Sequence, residues 1–338
     1  MAEITKLSVG QALDKLRGTD APASKMARLD KKIEALNEET PRLKATRLRA
    51  KRNQRAGSTG RVNLKRIRRF SLAIIVLIPA LYFLPIPTIF YLVCGALDIG
   101  RQKNVTVELI EKYFMGNGVL TWLLSPINLL ADALSHRNKV VYRLEDLPPD
   151  HRDEIETCVL EFVANGDRIK EHVAKKFGHS KRCMLAFKWY DAPQSTELKF
   201  SAFERDFRYI KTIAVSVFNT RERTSRHFGP LRFTFRVLYN LDPVASRDVF
   251  IEANDTLHYW SDDPLFIFDD TVFHRSINDV DHVRYCLFMD IVRPNYAERV
   301  FDFFVHVSSV VAISPARGTT SVPSRDAMSA GFKVAGSR

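Results

Sequence analysis

Cysteine is scarce in this sequence and never paired. Cys94, Cys158, Cys183 and Cys286 lie far apart, with no C-x-x-C and no zinc-type spacing. That excludes a zinc ribbon or a disulfide scaffold and points to a reduced, cytosol-facing compartment. Residues 1–20 are polar and mixed in charge, without the apolar stretch of a secretory signal. Two further absences lie side by side: Arg42 to Arg69 contains no acid, and Phe70 to Leu97 contains no charge at all.

The net charge of +12 belongs to the N-terminal arm, where residues 1–69 hold 19 Lys/Arg against 7 Asp/Glu. In the remainder, 32 basic and 32 acidic residues cancel. The arm 1–69 is predicted to be largely disordered or helical, and twelve of its basic residues fall in 42–69, the part expected to contact an anionic membrane surface. Each such residue near anionic headgroups is worth about 1 kcal/mol. Basic arms also neutralise nucleic-acid phosphates. Nucleic acid is disfavoured because the run ends directly at an apolar span, the juxtamembrane pattern.

That span, 70–97, exceeds the roughly 20 residues that cross a bilayer. Pro79, Pro85 and Pro87 interrupt it, and a proline inside a helix removes a hydrogen bond and bends the axis. A transmembrane or re-entrant segment is expected. The basic arm places the N-terminus in the cytosol, so a re-entrant hairpin, or a second crossing through Phe114–Leu134, returns the rest of the chain to the cytoplasm. Residues 98–149 read as an amphipathic, membrane-proximal linker, with a helix over 118–136 broken at Pro126. This helix either lies in the membrane interface or docks on the body. Asp150 caps a helix through about Phe177, with Ile155, Val159, Phe162 and Val163 on its buried face. Past Pro294 a helix presents Val300, Phe303, Phe304 and Val307 on one side, and 315–338 reads as a disordered tail.

Between these helices the pattern changes to short runs rich in Phe, Val and Tyr, the mark of strands. In LRFTFRVLY (231–239), alternation puts Phe233, Phe235, Val237 and Tyr239 on one face and Arg232, Thr234, Arg236 and Leu238 on the other. In VRYCLFMDIV (283–292), Arg284, Cys286, Phe288 and Asp290 share a face. PLFIFDD (264–270) is a buried strand that delivers His274 from the turn after it. Several such strands in antiparallel order make a small barrel or jelly roll. Each candidate residue has a duller role open to it. His227 and His274 could be packed or surface histidines, Arg236 and Arg284 cross-sheet ion-pair partners, and Ser216 a strand serine bonding backbone.

The joint spacing is more specific. Ser216 precedes His227 by eleven residues, Arg236 follows His227 by nine, and Arg284 follows His274 by ten. With Gly229, these positions resemble the motif of the aspartyl/asparaginyl β-hydroxylase family of Fe(II)/2-oxoglutarate dioxygenases. FKWYDAPQS (187–195), SPINLL (125–130) and FMDIVRP (288–294) are more similar to its bacterial lipid A 2-hydroxylase branch, and ornithine-lipid hydroxylases belong to the same family. The resemblance covers roughly 120–312. It implies a mainly β, double-stranded β-helix (jelly roll) catalytic domain over 150–314 with flanking helices. It also implies Fe(II) held by His227 and His274, with O2 and 2-oxoglutarate as co-substrates. Ser216 and Arg284 would hold the distal carboxylate of 2-oxoglutarate, and Arg236 the carboxylate next to the keto group. The catalytic set is then His227, His274 and Arg284.

Imidazole suits iron, and a guanidinium suits a carboxylate through paired, charge-assisted hydrogen bonds. The chain departs from the family pattern at Gly229, where most such oxygenases place a metal-binding aspartate, and at Leu238, where a histidine is usual. The protein-hydroxylating branch also carries glycine at the first of these. Asp269, Asp270 and Trp260 fit the pattern as core or support residues, and His258 and His282 as surface residues. The leading expectation is a membrane-attached dioxygenase of the bacterial inner membrane. Its catalytic domain would face the cytoplasm and hydroxylate an acyl chain of a membrane lipid (lipid A or ornithine-lipid type). The alternatives are a hydroxylase of protein or peptide and, in another class, a non-catalytic membrane-tethered jelly-roll module.

Overall fold

A computed structural model of the chain describes residues 64, 67–178 and 180–311. Most of the basic arm and all of the tail 315–338 lie outside the described residues. The chain divides into two compact units, Met1–Ile74 and Ile75–Arg338. Of the first, Leu64 and 67–74 are described, and they are helical.

The second unit is built on two antiparallel sheets. Its strands are β1 (Val141–Tyr142), β2 (Arg182–Trp189), β3 (Ala192–Pro193), β4 (Ile210–Phe218), β5 (Glu222–Arg223), β6 (Thr234–Asn240), β7 (Val249–Ala253), β8 (Thr256–Tyr259), β9 (Leu265–Phe268), β10 (His274–Asn278) and β11 (Arg284–Val292). The larger sheet runs β1-β9-β6-β11-β4-β2-β3 and the smaller β5-β10-β7-β8. With flanking helices, this is a jelly-roll-like arrangement.

The period-2 alternation decides which side chains go where. One face of the large sheet carries Leu185, Ile213, Val215, Phe235, Val237, Leu287 and Met289. It is covered by Ile155, Cys158 and Phe162 of helix Pro149–Ala164 and by Ile169 and Val173 of helix Gly166–Phe177. The other face turns Ala214, Leu238, Phe266 and Phe288 toward Val249, Ile251 and Ala253 of the small sheet. This second, inner layer holds the candidate residues Arg236 and Arg284.

Several expectations are revised. The apolar run 70–97 is not one long helix, because helical residues 67–83 and helix Pro85–Ile99 are separated at Leu84. Leu84 leaves helical geometry (φ −133°, ψ 58°), and Pro85, opening the next helix, supplies the fixed φ suited to a first turn. At 1.5 Å per residue helix Pro85–Ile99, of 15 residues, is about 22 Å long, short of a hydrocarbon core of roughly 30 Å. No helix among the described residues is long and apolar enough to cross a membrane. The helix expected over 150–177 is broken at Asn165–Gly166, and Val163 is exposed.

In the linker, helices Val119–Leu123 and Ser125–Leu134 dock on the body along one side. Thr121, Ser125, Asn128 and Ala131 are buried, whereas Leu120, Leu123 and Leu130 face outward. In the last helix, Glu298–Val311, Phe301 and Val305 make the buried contact with Val300 and Phe304 beside them, while Phe303 is exposed.

His151, in the first turn of helix Pro149–Ala164, is buried against β11. It lies 3.1 Å through Nε2 from the Val292 carbonyl and stacks on Tyr209 at 3.7 Å. Burial outweighs that hydrogen bond and pulls its pKa down to about 4. An unfolded chain protonates it near 6.5. The stability held by the neutral ring is therefore complete above about 6.5 and declines as pH falls toward 4, by about 3 kcal/mol in all. His151→Gln, which keeps a donor for Val292 and cannot titrate, is expected to flatten the melting temperature between pH 6.5 and 4.

Candidate active site

His227 and His274 come from distant segments and meet as a two-residue antiparallel bridge. His227 N–H donates to the His274 carbonyl at 2.9 Å, and His274 N–H to the His227 carbonyl at 3.0 Å. Their ring centroids lie 4.2 Å apart. Each Nδ1 lies 2.8 Å from the carbonyl two residues upstream, Ser225 for His227 and Val272 for His274. A carbonyl only accepts, so in each neutral ring Nδ1 carries the proton and Nε2 the lone pair. That is the tautomer a metal ligand needs, set by backbone before any metal arrives.

Arg284 lies on the inner face of β11. The register pairs it with Phe218 and pairs Cys286 with Ser216, so Ser216 is its diagonal neighbour on the same face. The guanidinium is 3 % exposed, sits 4.4 Å over the Phe218 ring, and donates through Nη2 to Ser276 Oγ at 2.7 Å. Its Nε and Nη1 are buried and have no hydrogen-bond partner among the described residues. No carboxylate among the described residues offsets the desolvation, and burial lowers its pKa from the usual arginine value. Proteins rarely bury an uncompensated cation, so this guanidinium is open to an anion that no described residue supplies.

Ser276 was not among the residues singled out from the sequence. It lies two residues beyond His274 on β10, so alternation turns both to the same side. That spacing was the available signal, but a serine in a strand carries no chemistry until the fold puts an arginine against it.

Arg236 has the opposite character. Its register partner is Asp290, which it engages from Nε at 2.9 Å, while Nη2 meets Asp270 at 2.9 Å. Burial disfavours the charge, but these two carboxylates outweigh it and raise the pKa. The guanidinium stacks 4.0 Å over Phe288, with Leu238 on the neighbouring strand in register with Phe288. Six residues of β11 separate Arg284 from Asp290, about 20 Å of strand. The two arginines thus stand toward opposite ends of one inner surface, Arg236 held by carboxylates and Arg284 open.

Gly229 is pinned between two contacts. Its N–H donates to the Asp270 carbonyl at 2.6 Å and its carbonyl accepts from Thr121 Oγ1 at 2.8 Å. A Cβ at this position would run into the Asp270 carboxylate. The space that a side chain at 229 would need is already taken, which explains the glycine. No group of three or more His, Cys, Asp or Glu residues able to hold a metal occurs among the described residues. The histidine pair is therefore a two-ligand candidate.

The support residues have definite places. Asp269 is buried among Arg293, Arg101 and Arg232, which with Thr271 outweigh the burial penalty and hold its pKa far below the carboxylate range. Trp260 lies under Arg284, its ring centroid 5.2 Å from the guanidinium carbon. His282 is exposed as expected. His258 is half-buried, its ring stacking on Phe266 at 4.3 Å and edging Trp260. A surface cleft of ≈ 520 Å³ beside Tyr190, Arg208 and Glu298 contains none of these residues.

Gly229→Ala is expected to cost about 1–3 kcal/mol, the usual penalty of overpacking, and to displace Asp270 from Arg236. A denaturant melt set against the wild type measures it.

Three comparisons bear on this geometry. No curated protein matches the chain. Among solved structures, TT1209 from Thermus thermophilus is 11 % identical over 33 % of this chain and 85 % of that one, with a TM-score of 0.22. An oxidoreductase of the 2OG-Fe(II) oxygenase family from Burkholderia pseudomallei is 13 % identical over 39 % and 80 %, with a TM-score of 0.28. Likenesses this distant carry no weight for the chemistry. The family model described as Aspartyl/Asparaginyl beta-hydroxylase matches residues 190–294, the segment that contains Ser216, His227, Gly229, Arg236, His274 and Arg284.

Proposed function

We propose that this protein is a membrane-attached Fe(II)/2-oxoglutarate-dependent dioxygenase that hydroxylates an acyl chain of a membrane lipid, of the lipid A or ornithine-lipid type. The observation that carries the enzymatic part is the buried Arg284 guanidinium with two open donors, on an inner surface that also receives the histidine bridge through Ser276. The hydroxylase family match over the same segment supports it.

His227 and His274 would hold Fe(II) through Nε2, the atom left with a lone pair once each Nδ1 is bonded to backbone. Arg284, with Ser276 and Ser216 near it, would bind the distal carboxylate of 2-oxoglutarate, ending the desolvation of its own charge. Arg236 would meet the carboxylate next to the keto group only by giving up part of its hold on Asp270 or Asp290. Leu238, Phe266, Phe268 and Phe288 keep the interior apolar and exclude water. The bound metal and co-substrate supply oxygen activation: one C–H bond and O2 with 2-oxoglutarate become C–OH, succinate and carbon dioxide.

Membrane attachment is supported by what helix Pro85–Ile99 leaves uncovered. Ile86, Ile89, Phe90, Val93 and Leu97 are exposed at helical spacing, Ile86 to 81 %. Exposed apolar stripes of this kind mark a lipid or protein contact. The breaks at Leu84 and Leu124 favour a hairpin or interfacial attachment over a crossing. Such an attachment would keep the catalytic domain on the cytoplasmic side of a bacterial inner membrane, beside a lipid substrate.

Purified protein with Fe(II) and 2-oxoglutarate is expected to release succinate, and His274→Ala to abolish it. Succinate unchanged in the variant would defeat the enzymatic reading. Lipid mass spectra of a deletion strain should show loss of a hydroxylated species, the mass falling by one oxygen. Unaltered lipids with an altered protein hydroxylation pattern would favour the peptide-hydroxylase alternative. Arg284→Met separates the two jobs of that residue. It should raise the apo melting temperature, because an unpaired buried charge is removed, and it should erase the thermal shift that 2-oxoglutarate gives the wild type.

A further inference from the structure

The apolar helical segment is usually the part of such a chain assigned to anchoring alone. Here residues 98–134 are bonded to the chain on both sides of His227 and to the residues that lead into His274. On the His227 side, Lys112 Nζ donates to the Arg226 carbonyl at 3.0 Å and Thr121 Oγ1 to the Gly229 carbonyl at 2.8 Å. Asn128 donates to the Pro230 carbonyl at 3.1 Å and accepts from Arg232 N–H at 3.0 Å. On the His274 side, Arg101 reaches Asp269 at 2.8 Å and Gln102 Oε1 accepts from Phe273 N–H at 3.2 Å. The residues next to the histidines, Phe228 and Phe273, stack on each other at 4.9 Å and bury themselves among Ile99, Leu109 and Tyr113.

We propose that residues 98–134 set the spacing of the two histidines, with the Thr121 hydroxyl as the positioning group that holds the turn after His227. This deepens the two-histidine metal site proposed above and rests on that reading. The turn 227–230 belongs to no strand beyond the single bridge with His274, so its position depends on what grips its carbonyls. Thr121 is fully buried, and removing its hydroxyl leaves the Gly229 carbonyl without that donor at a buried position. Gly229 cannot shift toward Asp270 to recover, since the carboxylate already fills that space. The displacement therefore passes to His227, two residues away. Leu120 and Leu123, flanking Thr121 on the same short helix, are exposed, so the side of this segment that faces lipid lies one residue from the clamp.

The test uses the full chain and Co(II) alone, titrated while visible absorption is recorded, with the apo melting temperature measured in parallel. Thr121→Val should bind Co(II) about 10-fold or more weakly, as expected when the support behind a metal ligand is lost. Thr121→Ser, which keeps the hydroxyl, should bind like the wild type. Equal Co(II) affinity in Thr121→Val and wild type overturns the inference and leaves the metal site standing. Equal losses in Val and Ser variants also overturn it, because the hydroxyl is then not the cause. A wild type that binds no Co(II) defeats the metal-site reading itself, and this inference with it. If Thr121→Val does not fold, the same contrast is read from Gln102→Met, expected to bind weakly, against Gln102→Glu, which keeps an acceptor for Phe273 N–H.

Discussion

A buried knot of six charges holds this architecture together. Asp98, Asp132 and Asp269 meet Arg101, Arg232 and Arg293, with Arg232 only 1 % exposed and Arg293 and Asp269 fully enclosed. The charges balance, and Tyr113 and Thr271 satisfy remaining lone pairs. Such a cluster contributes little net stability against an apolar replacement, but removing one member costs about 3–5 kcal/mol because its partners stay buried. It therefore fixes geometry more than it adds stability. The members come from helix Pro85–Ile99, helix Ser125–Leu134, the approach to β6, the turn before β10 and the end of β11. Asp98 is the first charge after the apolar run, and through Arg232, which also meets Asp269, it ties the end of that run to the turn that delivers His274.

Set against that balance, the interior between the sheets is unbalanced. Arg236 faces two carboxylates and Arg284 faces none. In a low-dielectric interior an unpaired guanidinium raises the energy of the empty protein and lowers it again when an anion arrives. The two histidines, one of them two residues from Ser276 on the same strand, each turn Nδ1 to a backbone carbonyl. These residues all fall within 190–294, the segment matched by the family model described as Aspartyl/Asparaginyl beta-hydroxylase.

The apolar helices serve both surfaces of the molecule. Cys94, Gly95 and Asp98 turn inward, with Gly95 close enough to Trp122 that a side chain there would clash. The opposite stripe is uncovered. A helix cut at Leu84 and again at Gly100 is shorter than a bilayer's hydrocarbon core is thick.

Much of the site was legible from spacing and alternation. The faces assigned to 231–239 and 283–292 follow from a period of two and reappear in the register of β6 and β11. The position of His274 after a buried strand, and the break at the prolines of 85–87, were legible for the same local reasons. What only the tertiary structure decided depends on contacts between residues far apart in sequence. Nothing local tells that Ser276 takes one hand of Arg284 while the other stays open, that Asp290 and Asp270 occupy Arg236, or that a carboxylate fills the space beside Gly229. The 118–136 helix shows the limit most clearly. Its amphipathic pattern left docking and lipid contact equally open; the fold buries Thr121, Asn128 and Ala131 and leaves Leu120, Leu123 and Leu130 exposed, because a helix buries only the side that meets its neighbours.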